Sequence, residues 1–413
     1  MGPAFAADQV QGSGSRGARS TPSRSAASCH GLRAGGGAGF GSRPPGAVSR
    51  MNRCTAAITA AASSGEEADP TPLAIDSSAR RFTIAAEATR YMVRSVPPLP
   101  VLHHDAVLAA VTPDDAIEQV RRGFCRHHSG EWSMPAKVYL PSPPFGDFRA
   151  MPARGDGFAL LKWITSFPSN PASGLPTVQG LICLSDADTG TPLMILDARS
   201  VTALRTGAVA AVAARALARS DARSVGVIGC GLHGLWAARC LRAAGYEGGV
   251  ACDPRPDAAR AVADELGGAV GDRTEALACD VVCCVTPGTV AIVERPDLRP
   301  GLHLNMLGAD GPGKAEASVH AVAACTLFCD EWDQAVHGGE LTGAVSAGLV
   351  GRDAVRDLGS VLAGVGGTGA GRADDEEITL FDSTGLAIQD LAIAAAAYEA
   401  WQAGSVPAQT IEL

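Results

Sequence analysis

Residues 225–234 read VGVIGCGLHG, in which an apolar, β-prone segment runs directly into three glycines, Gly229, Gly231 and Gly234. In a strand–turn–helix unit with this spacing, the first glycine permits the tight turn and the second allows a pyrophosphate to approach the backbone. The third lets the helix pack close to the sheet. The N-terminus of that helix presents unpaired N–H groups that favour an anion. The segment therefore predicts a dinucleotide-binding turn; a glycine turn with a purely structural role is the alternative.

The flanks of the triplet support the first interpretation. Residues 232–244 have a helical composition, residues 250–252 form a second short strand, and Asp253 follows nineteen residues after Gly234. A carboxylate at this place accepts hydrogen bonds from both hydroxyls of an adenosine ribose and repels a 2′-phosphate. We therefore predict NAD as the cofactor and consider NADP less favoured, although the nearby Arg255 weakens that preference.

The composition is that of a globular protein. The chain has 413 residues, 46% of them hydrophobic, and a formal net charge of −9. This length accommodates about two domains with buried cores. The negative charge argues against nucleic acid as a partner, and the apolar runs are shorter than the ~18 residues needed to span a bilayer. The twelve cysteines are scattered, which favours free buried thiols over a metal site and indicates a reducing compartment.

The first 80 residues differ in kind from the rest. Between Met1 and Ala60 there are seven arginines, no lysine and a single acidic residue, Asp8. An Arg-rich, Ser-rich, acid-poor leader is typical of an organelle transit peptide. We expect residues 1–80 to be a disordered leader that directs the protein to a plastid or a mitochondrion. The alternative is a disordered tail, or a wrongly assigned upstream start with Met51 as the true initiator, and it leaves the protein in the cytoplasm.

Two patterns follow the leader. Short β-like runs separated by Pro, Gly and Asp turns predict a meandering sheet after a first amphipathic helix; these runs are 137–140, 148–151, 159–163 and 178–184. From residue 225 strands and helices alternate, which predicts a parallel sheet with helices on both faces. The fold class is therefore α/β: a doubly wound Rossmann domain, residues 216–376, and a discontinuous α+β domain, residues 98–215 plus 377–413.

Several longer segments resemble the ornithine cyclodeaminase/mu-crystallin family, and most of all its archaeal-type alanine dehydrogenase branch. They include MPAKVYL (134–140), GDFRAMPA (146–153), GADGPGK (308–314) and FDSTGLAIQD (381–390). The resemblance covers roughly residues 98–405. It implies a homodimer in which the discontinuous domain binds substrate and forms the dimer, and amino-acid or imine chemistry at a nicotinamide. It also aligns HGGE (337–340), which we expect in a loop near the active site without an assignable role.

The resemblance implies a set of anion-binding residues. Lys137 and Arg149 match the positions that hold the substrate carboxylate, and the planar fork of Arg149 suits a carboxylate. Arg205 and Thr206 match the pair that serves the cofactor phosphates, and Arg205 also the substrate carboxylate. The sequence places this pair in the first turn of an alanine-rich helix, residues 202–218, where a cation opposes the helix dipole unless an anion binds there. Solvated strand residues and a domain-packing role for Arg205 are the alternatives.

Two residues are candidate catalysts. Lys162 lies between Leu161 and Trp163, where partial desolvation would lower the pKa of its ammonium. Asp310 follows an apolar run at the carboxyl end of a predicted parallel strand, where doubly wound sheets place their ligands. In the family these positions assist proton transfer; a snorkelling lysine and a turn aspartate are the alternatives. Thr286 ends another strand and is a candidate for the nicotinamide pocket; a strand-terminating turn is the alternative. We expect His233, in the glycine loop, to face solvent.

Together these features predict an NAD-dependent dehydrogenase of small amino acids such as alanine, which in reverse reduces an imine. The first alternative is an ornithine cyclodeaminase, which releases proline and ammonia after an internal oxidation and reduction. A cofactor-dependent binding protein of the mu-crystallin type is the second. The retention of Lys162 and Asp310 argues against a pure binding protein, because binding alone needs neither.

Overall fold

The computed structural model describes residues 97–288, 290–367 and 371–412, so the predicted leader, residues 1–80, lies outside the described residues. The strands are β1 (Leu99–Leu102), β2 (Val138–Ser142), β3 (Gly146–Gly155), β4 (Phe158–Ser166), β5 (Val178–Asp186), β6 (Pro192–Asp197), β7 (Val225–Ile228), β8 (Gly249–Cys252), β9 (Ala269–Val270), β10 (Val281–Cys284), β11 (His303–Met306), β12 (Thr326–Cys329), β13 (Val355–Asp357), β14 (Thr379–Asp382) and β15 (Gln409–Ile411).

Two helices precede the strands β2–β6, and from β7 onward helices alternate with strands. They are α1 (His104–Ala110), α2 (Pro113–His128), α3 (Ala198–Leu217), α4 (Leu232–Ala243), α5 (Pro256–Leu266), α6 (Arg273–Leu277), α7 (Val319–Val322), α8 (Trp332–Gly338), α9 (Leu341–Ser346), α10 (Leu358–Leu362) and α11 (Ala387–Gln402). No helix of the described residues is both long and apolar enough to cross a membrane.

The first sheet is the predicted meander. Its strand order is β15-β1-β6-β5-β4-β3-β2, and all neighbours are antiparallel except β1 and β6. Because side chains alternate along a strand, β4 sends Leu160, Lys162 and Ile164 into the interior while Leu161 and Trp163 stay exposed. Lys162 is therefore on the buried face of the sheet.

The second sheet has eight parallel strands in the order β13-β12-β14-β11-β10-β7-β8-β9. Parallel strands place their carboxyl ends at one edge, where doubly wound sheets bind ligands. The loops after β7, β10, β11 and β14 leave the sheet at this edge. The α/β fold class with a doubly wound parallel sheet is confirmed.

One part of the domain prediction is wrong. Residues 379–382, assigned to the discontinuous domain, form β14 and pair with β11 and β12 inside the parallel sheet. All four residues of β14 are buried, and such a strand needs cover on both faces, which the middle of the parallel sheet provides. The chain returns to the first sheet after β14, because α11 packs on α2 and β3 and β15 pairs with β1.

Helix α3 connects the two sheets and begins earlier than predicted. It starts at Ala198, where the Asp197 side chain caps it by accepting from the Ser200 N–H at 2.8 Å. Arg205 and Thr206 therefore lie about two turns inside the helix, and their predicted place in its first turn is wrong. At Gly207 the helix touches α4, since a Cβ there would lie 2.3 Å from the Trp236 carbonyl oxygen. This close contact brings α3 beside the glycine turn.

Candidate active site

One pocket collects the residues predicted for substrate and catalysis. It lies between the buried face of the first sheet, helix α3 and the carboxyl edge of the parallel sheet. Its lining residues are Lys137, Arg149, Met151, Lys162, Ile164, Thr165, Ser166, Val178, Thr202, Arg205, Thr206, His233, Leu307, Asp310, Ser383 and Thr384. Of these, four are Lys or Arg and one is acidic, so the described lining carries a surplus of positive charge suited to an anion.

At the base of the pocket Lys162 forms a buried ion pair. Its ammonium lies 2.5 Å from Oδ2 of Asp390 on α11, and both side chains are essentially inaccessible to solvent. The Thr202 hydroxyl lies 3.5 Å from the same ammonium, and Arg205 Nε lies 3.4 Å from Oδ1 of Asp390. One carboxylate thus holds two cations from β4 and α3 in place.

The surroundings of Lys162 lower the pKa of its ammonium. Burial disfavours its charged form and, despite the opposing charge of Asp390, lowers the pKa of Lys162 to about 7. An amine with a pKa near neutral can both give and take a proton at physiological pH. The sequence-based expectation of a lowered pKa agrees with this environment.

Arg149 and Asp310 join the two sheets across the pocket. Arg149, on β3, donates from Nη1 to Oδ2 of Asp310 at 2.7 Å and from Nε to Oδ1 of Asp147 at 2.6 Å. Lys314 approaches Oδ1 of Asp310 at 2.5 Å from within the same loop. Asp310 follows β11, so this ion pair bridges the meander and the carboxyl edge of the parallel sheet.

These cations keep Asp310 ionised. Burial alone would raise the pKa of Asp310, but the charges of Arg149 and Lys314 outweigh it and hold the pKa well below its usual range. In the arrangement described, the carboxylate is a weak proton acceptor. It becomes more basic when a competing anion draws one of its cations away.

Lys137 completes the cationic rim. Its ammonium donates to the Thr384 carbonyl oxygen at 2.6 Å, which ties the segment before β2 to the loop after β14. Desolvation lowers the pKa of Lys137 to about 8, although the carboxylates of Asp330 and Asp310 act in the opposite direction. Two of its three donors remain available to a ligand.

The glycine turn fits a dinucleotide. Gly229 has φ of +97°, and a Cβ at Gly234 would lie 2.1 Å from the Gly229 carbonyl oxygen. At Gly231, by contrast, a Cβ would meet nothing nearer than Arg255 Nη2 at 3.8 Å. The first and third glycines are therefore required by the turn itself, while the second leaves the open cradle that a diphosphate needs.

Asp253 directly follows β8 beside this cradle, but its carboxylate is already occupied. It accepts from the Cys230 N–H at 2.7 Å and from the N–H, Nε and Nη2 of Arg255, each at 2.9 Å. Four donors fill the acceptor sites of a carboxylate. Arg255 is 65% exposed and cancels the negative charge that would repel a 2′-phosphate.

The structure also locates Thr206, Thr286 and His233, the remaining residues discussed from the sequence. Thr206 lines the pocket, but its hydroxyl donates to the Thr202 carbonyl oxygen at 2.7 Å. Thr286 follows β10 and directs its hydroxyl away from the pocket to Glu316, at 2.8 Å. His233 lines the pocket, so its expected place facing solvent is wrong; burial and the charge of Arg205 lower its pKa to about 4 and keep it neutral.

Comparison with known proteins identifies the family. The sequence model of the ornithine cyclodeaminase/mu-crystallin family matches residues 101–405. The chain belongs to this family. The resemblance predicted from the quoted segments is thereby confirmed.

Individual family members are similar over nearly their whole length. An alanine dehydrogenase of Archaeoglobus fulgidus is 41% identical over 306 residues, which cover 72% of this chain and 94% of the relative. The solved structure of an archaeal alanine dehydrogenase dimer with bound NAD has a TM-score of 0.72 and 39% identity, covering 76% of this chain and 99% of that one. The Δ1-pyrroline-2-carboxylate reductase of Thermococcus litoralis, with NADH and L-proline, has a TM-score of 0.72 and 26% identity, covering 76% and 100%.

Sequence reasoning on this family member missed the partners of its charged residues. Asp390 directly precedes a run of seven apolar residues in α11, 391–397, a pattern that indicates a buried acid in need of a cation. Asp147 lies two residues before Arg149 on one face of β3, and Lys314 lies four residues after Asp310. Each of these three partner residues lies within one of the segments quoted in the sequence analysis.

The buried pair at the base of the pocket predicts strong coupling. Asp390→Asn should lower the free energy of unfolding by about 3–5 kcal/mol, because it leaves the Lys162 ammonium buried without its counter-charge. In a double-mutant cycle with Lys162→Met, urea unfolding should show that the second substitution recovers part of that loss. Glu118→Gln, which breaks an exposed pair with Arg121, serves as the control and should cost at most about 1 kcal/mol. Additive effects in the buried cycle would contradict the pairing.

Proposed function

We propose that the protein is an NAD-dependent oxidoreductase that interconverts small amino acids with their imines and 2-oxo acids. The observation that carries the proposal is the cationic pocket, with Lys162 at its base, next to a glycine turn that fits a dinucleotide. Relatives that are an alanine dehydrogenase and a pyrroline-2-carboxylate reductase support this reaction class. A bound nicotinamide supplies the acceptor or donor of hydride at the substrate α-carbon.

The substrate carboxylate is held by Arg149 and Lys137. Arg149 has five N–H donors, of which Asp147 and Asp310 occupy three, so two remain for an incoming carboxylate. Lys137, which directly precedes the neighbouring strand β2, also lines the pocket with its ammonium. A carboxylate bound between them places the α-carbon and its nitrogen deeper in the pocket, toward Lys162.

Lys162 exchanges a proton with the substrate. As an ammonium it protonates the nitrogen during reduction, and as an amine it accepts a proton during oxidation. Because its pKa lies at about 7, reduction should slow and oxidation should accelerate as the pH rises through that value. Asp390 positions this lysine through their ion pair, and Arg205 holds Asp390 in turn.

Asp310 manages the second proton. When the substrate carboxylate engages Arg149, it competes with Asp310 for the guanidinium, and the pKa of Asp310 rises from its depressed value. Substrate binding thereby converts Asp310 into an acceptor for a proton from an amino group or from the water that attacks an imine. This coupling restricts the base to the liganded enzyme.

The protein acts as a homodimer through the outer face of the first sheet, with residues 98–215 plus the chain after β14 as the dimerisation domain. Val138, Trp163 and Leu181 lie in one row across β2, β4 and β5, because Ala150 pairs with both Val138 and Trp163, and Trp163 pairs with Leu181. They are 62%, 40% and 59% exposed. A contiguous apolar patch of this kind marks an interface, and the archaeal alanine dehydrogenase structure is a dimer.

A substrate panel tests the proposed activity. The full chain should consume NADH with pyruvate plus ammonia or with a cyclic imino acid, and produce NADH with alanine or proline, as followed by NADH absorbance. Reduction and oxidation should show opposite pH limbs near pH 7, the value to which the pKa of Lys162 is lowered. Lys162→Met is the matched control and should remove both limbs. Proline and ammonia formed from ornithine without net NADH would assign a cyclodeaminase instead.

Asp310→Asn tests the second proton-transfer residue. We expect turnover to fall by at least ~10²-fold, because general acid–base catalysis contributes at least that much, while NADH still binds. Asp147→Asn removes the other carboxylate on Arg149 and should have a smaller effect. Stopped-flow turnover and fluorescence titration with NADH separate the two quantities. Near-normal turnover of the Asp310 variant would exclude it from the mechanism.

Arg255→Ala tests how the ribose site discriminates between cofactors. We expect NADH to remain the cofactor, but Arg255 cancels the charge of Asp253, so discrimination against NADPH in the native protein should be weak. Loss of a charge-assisted contact of about 1.5–3 kcal/mol should raise the Kd of NADPH at least ~10-fold. The Kd of NADH should change little, because the freed Asp253 can accept from the ribose hydroxyls. Arg255→Lys keeps the charge as a control, and an unchanged NADPH-to-NADH ratio would contradict the assignment.

A further inference from the structure

Two buried glutamates lie beneath the Asp310 loop, and the chemistry above uses neither of them. Glu316 is fully buried and Glu340 nearly so. Burial raises the pKa of each glutamate to about 7, because the protein interior disfavours the charged carboxylate. A protein that only needed a stable core here would gain from apolar side chains of the same size.

Glu316 connects the ends of two neighbouring strands. Its Oε1 accepts from the Thr286 N–H at 2.5 Å and from the Thr286 hydroxyl at 2.8 Å, while Oε2 accepts from the Gly308 N–H at 2.7 Å. Thr286 follows β10 and Gly308 follows β11, two residues before Asp310. One carboxylate thus sets the separation of two loops at the carboxyl edge of the parallel sheet.

Gly308 fits this arrangement closely. A Cβ there would lie 2.1 Å from the Thr286 carbonyl oxygen and 2.6 Å from Cδ of Glu316. The loop that carries Asp310 can reach Glu316 because residue 308 has no side chain. The contact is therefore specific to the two strand ends and not a consequence of loose packing.

Glu340, the last residue of the HGGE segment, seats Glu316. Its carboxylate accepts from the Glu316 N–H at 2.9 Å and also from the Ala317 N–H. Both glycines of the segment lie close to neighbouring groups, Gly339 more closely than Gly338: a Cβ at Gly339 would lie 2.4 Å from Oδ2 of Asp382, and one at Gly338 would lie 3.1 Å from the Cα of Gly311. The HGGE segment thus contacts the Asp310 loop at Gly311, and its Glu340 holds Glu316, which in turn connects that loop to Thr286.

We infer that Glu316, seated by Glu340, is a positioning residue that holds Asp310 in register with the loop after β10. The inference rests on the proposed function for its kinetic consequence, but its structural content is independent of the substrate. Because Asp310 also meets Arg149 from the other sheet, fixing its loop fixes one side of the pocket. A misplacement of about 1 Å at such a group can cost up to about 10²-fold in rate.

Glu316→Gln is the principal test. The amide keeps the shape of the side chain, but it has only one acceptor oxygen. Its NH₂ group must therefore face either the Gly308 N–H or the Thr286 donors, and the hydrogen bond on that side is lost because two donors then face each other. We expect kcat to fall about 10-fold to 100-fold, with the KM of the amino acid and the Kd of NADH within about 3-fold of the native values. Hydrogen exchange at the amides of Thr286 and Gly308 should accelerate without faster exchange in the first sheet.

Two further variants separate positioning from stability. Thr286→Val removes one of the three donors to Glu316 and should give a smaller loss of kcat and faster exchange confined to the same two loops. Glu340→Gln retains an oxygen that can accept from both N–H groups, so its effect should be smaller than that of Glu316→Gln. Native kcat in Glu316→Gln, or exchange that accelerates throughout the protein, would overturn the inference. The exchange measurement remains decisive if the substrate is not an amino acid, because it requires no turnover.

Discussion

The pocket depends on the contact between the Lys162 ammonium and the Asp390 carboxylate. Lys162 is on β4 of the first sheet, and Asp390 is in the first turn of α11, more than two hundred residues later in the chain. Arg205 reaches the same carboxylate from α3. Separately, each of these charges would be costly to bury. Together they fix a strand and two helices, and they leave a lysine of lowered pKa facing the pocket.

A second pair of charges, Arg149 and Asp310, lines the same pocket. Arg149 and Asp310 belong to different sheets, and their contact brings the meander to the carboxyl edge of the parallel sheet. The lining as a whole keeps more cations than anions. We propose that an anionic substrate completes the charge balance of the pocket at Arg149, whose charge also lowers the pKa of Asp310. In this proposal, recognition of the substrate carboxylate and activation of Asp310 as a base depend on the same guanidinium.

Sequence reasoning was most accurate where one local pattern has one structural solution. The glycine triplet, the alternating strands and helices and the four strands of the meander all lie where their patterns predicted. Its errors arose where a distant segment decides the outcome. The local sequence of β14, TLFD, is compatible with either sheet, and only its pairing with β11 and β12 assigns it to the parallel one. Helix α3 begins four residues earlier than predicted because Asp197 caps it. His233, in the first turn of α4, lines a pocket whose other walls come from α3 and the first sheet.

By itself the sequence determined the fold class, the dinucleotide turn and the identity of the charged residues, because these depend on periodicity, on glycines at fixed spacing and on the segments shared with the family. The tertiary structure alone decided which charges meet. Asp390 as the partner of Lys162, Arg149 as the partner of Asp310 and Glu316 as the tie between two strand ends all join segments far apart along the chain. Electrostatic energy depends on distance in space and on desolvation, and neither quantity exists until the chain has folded.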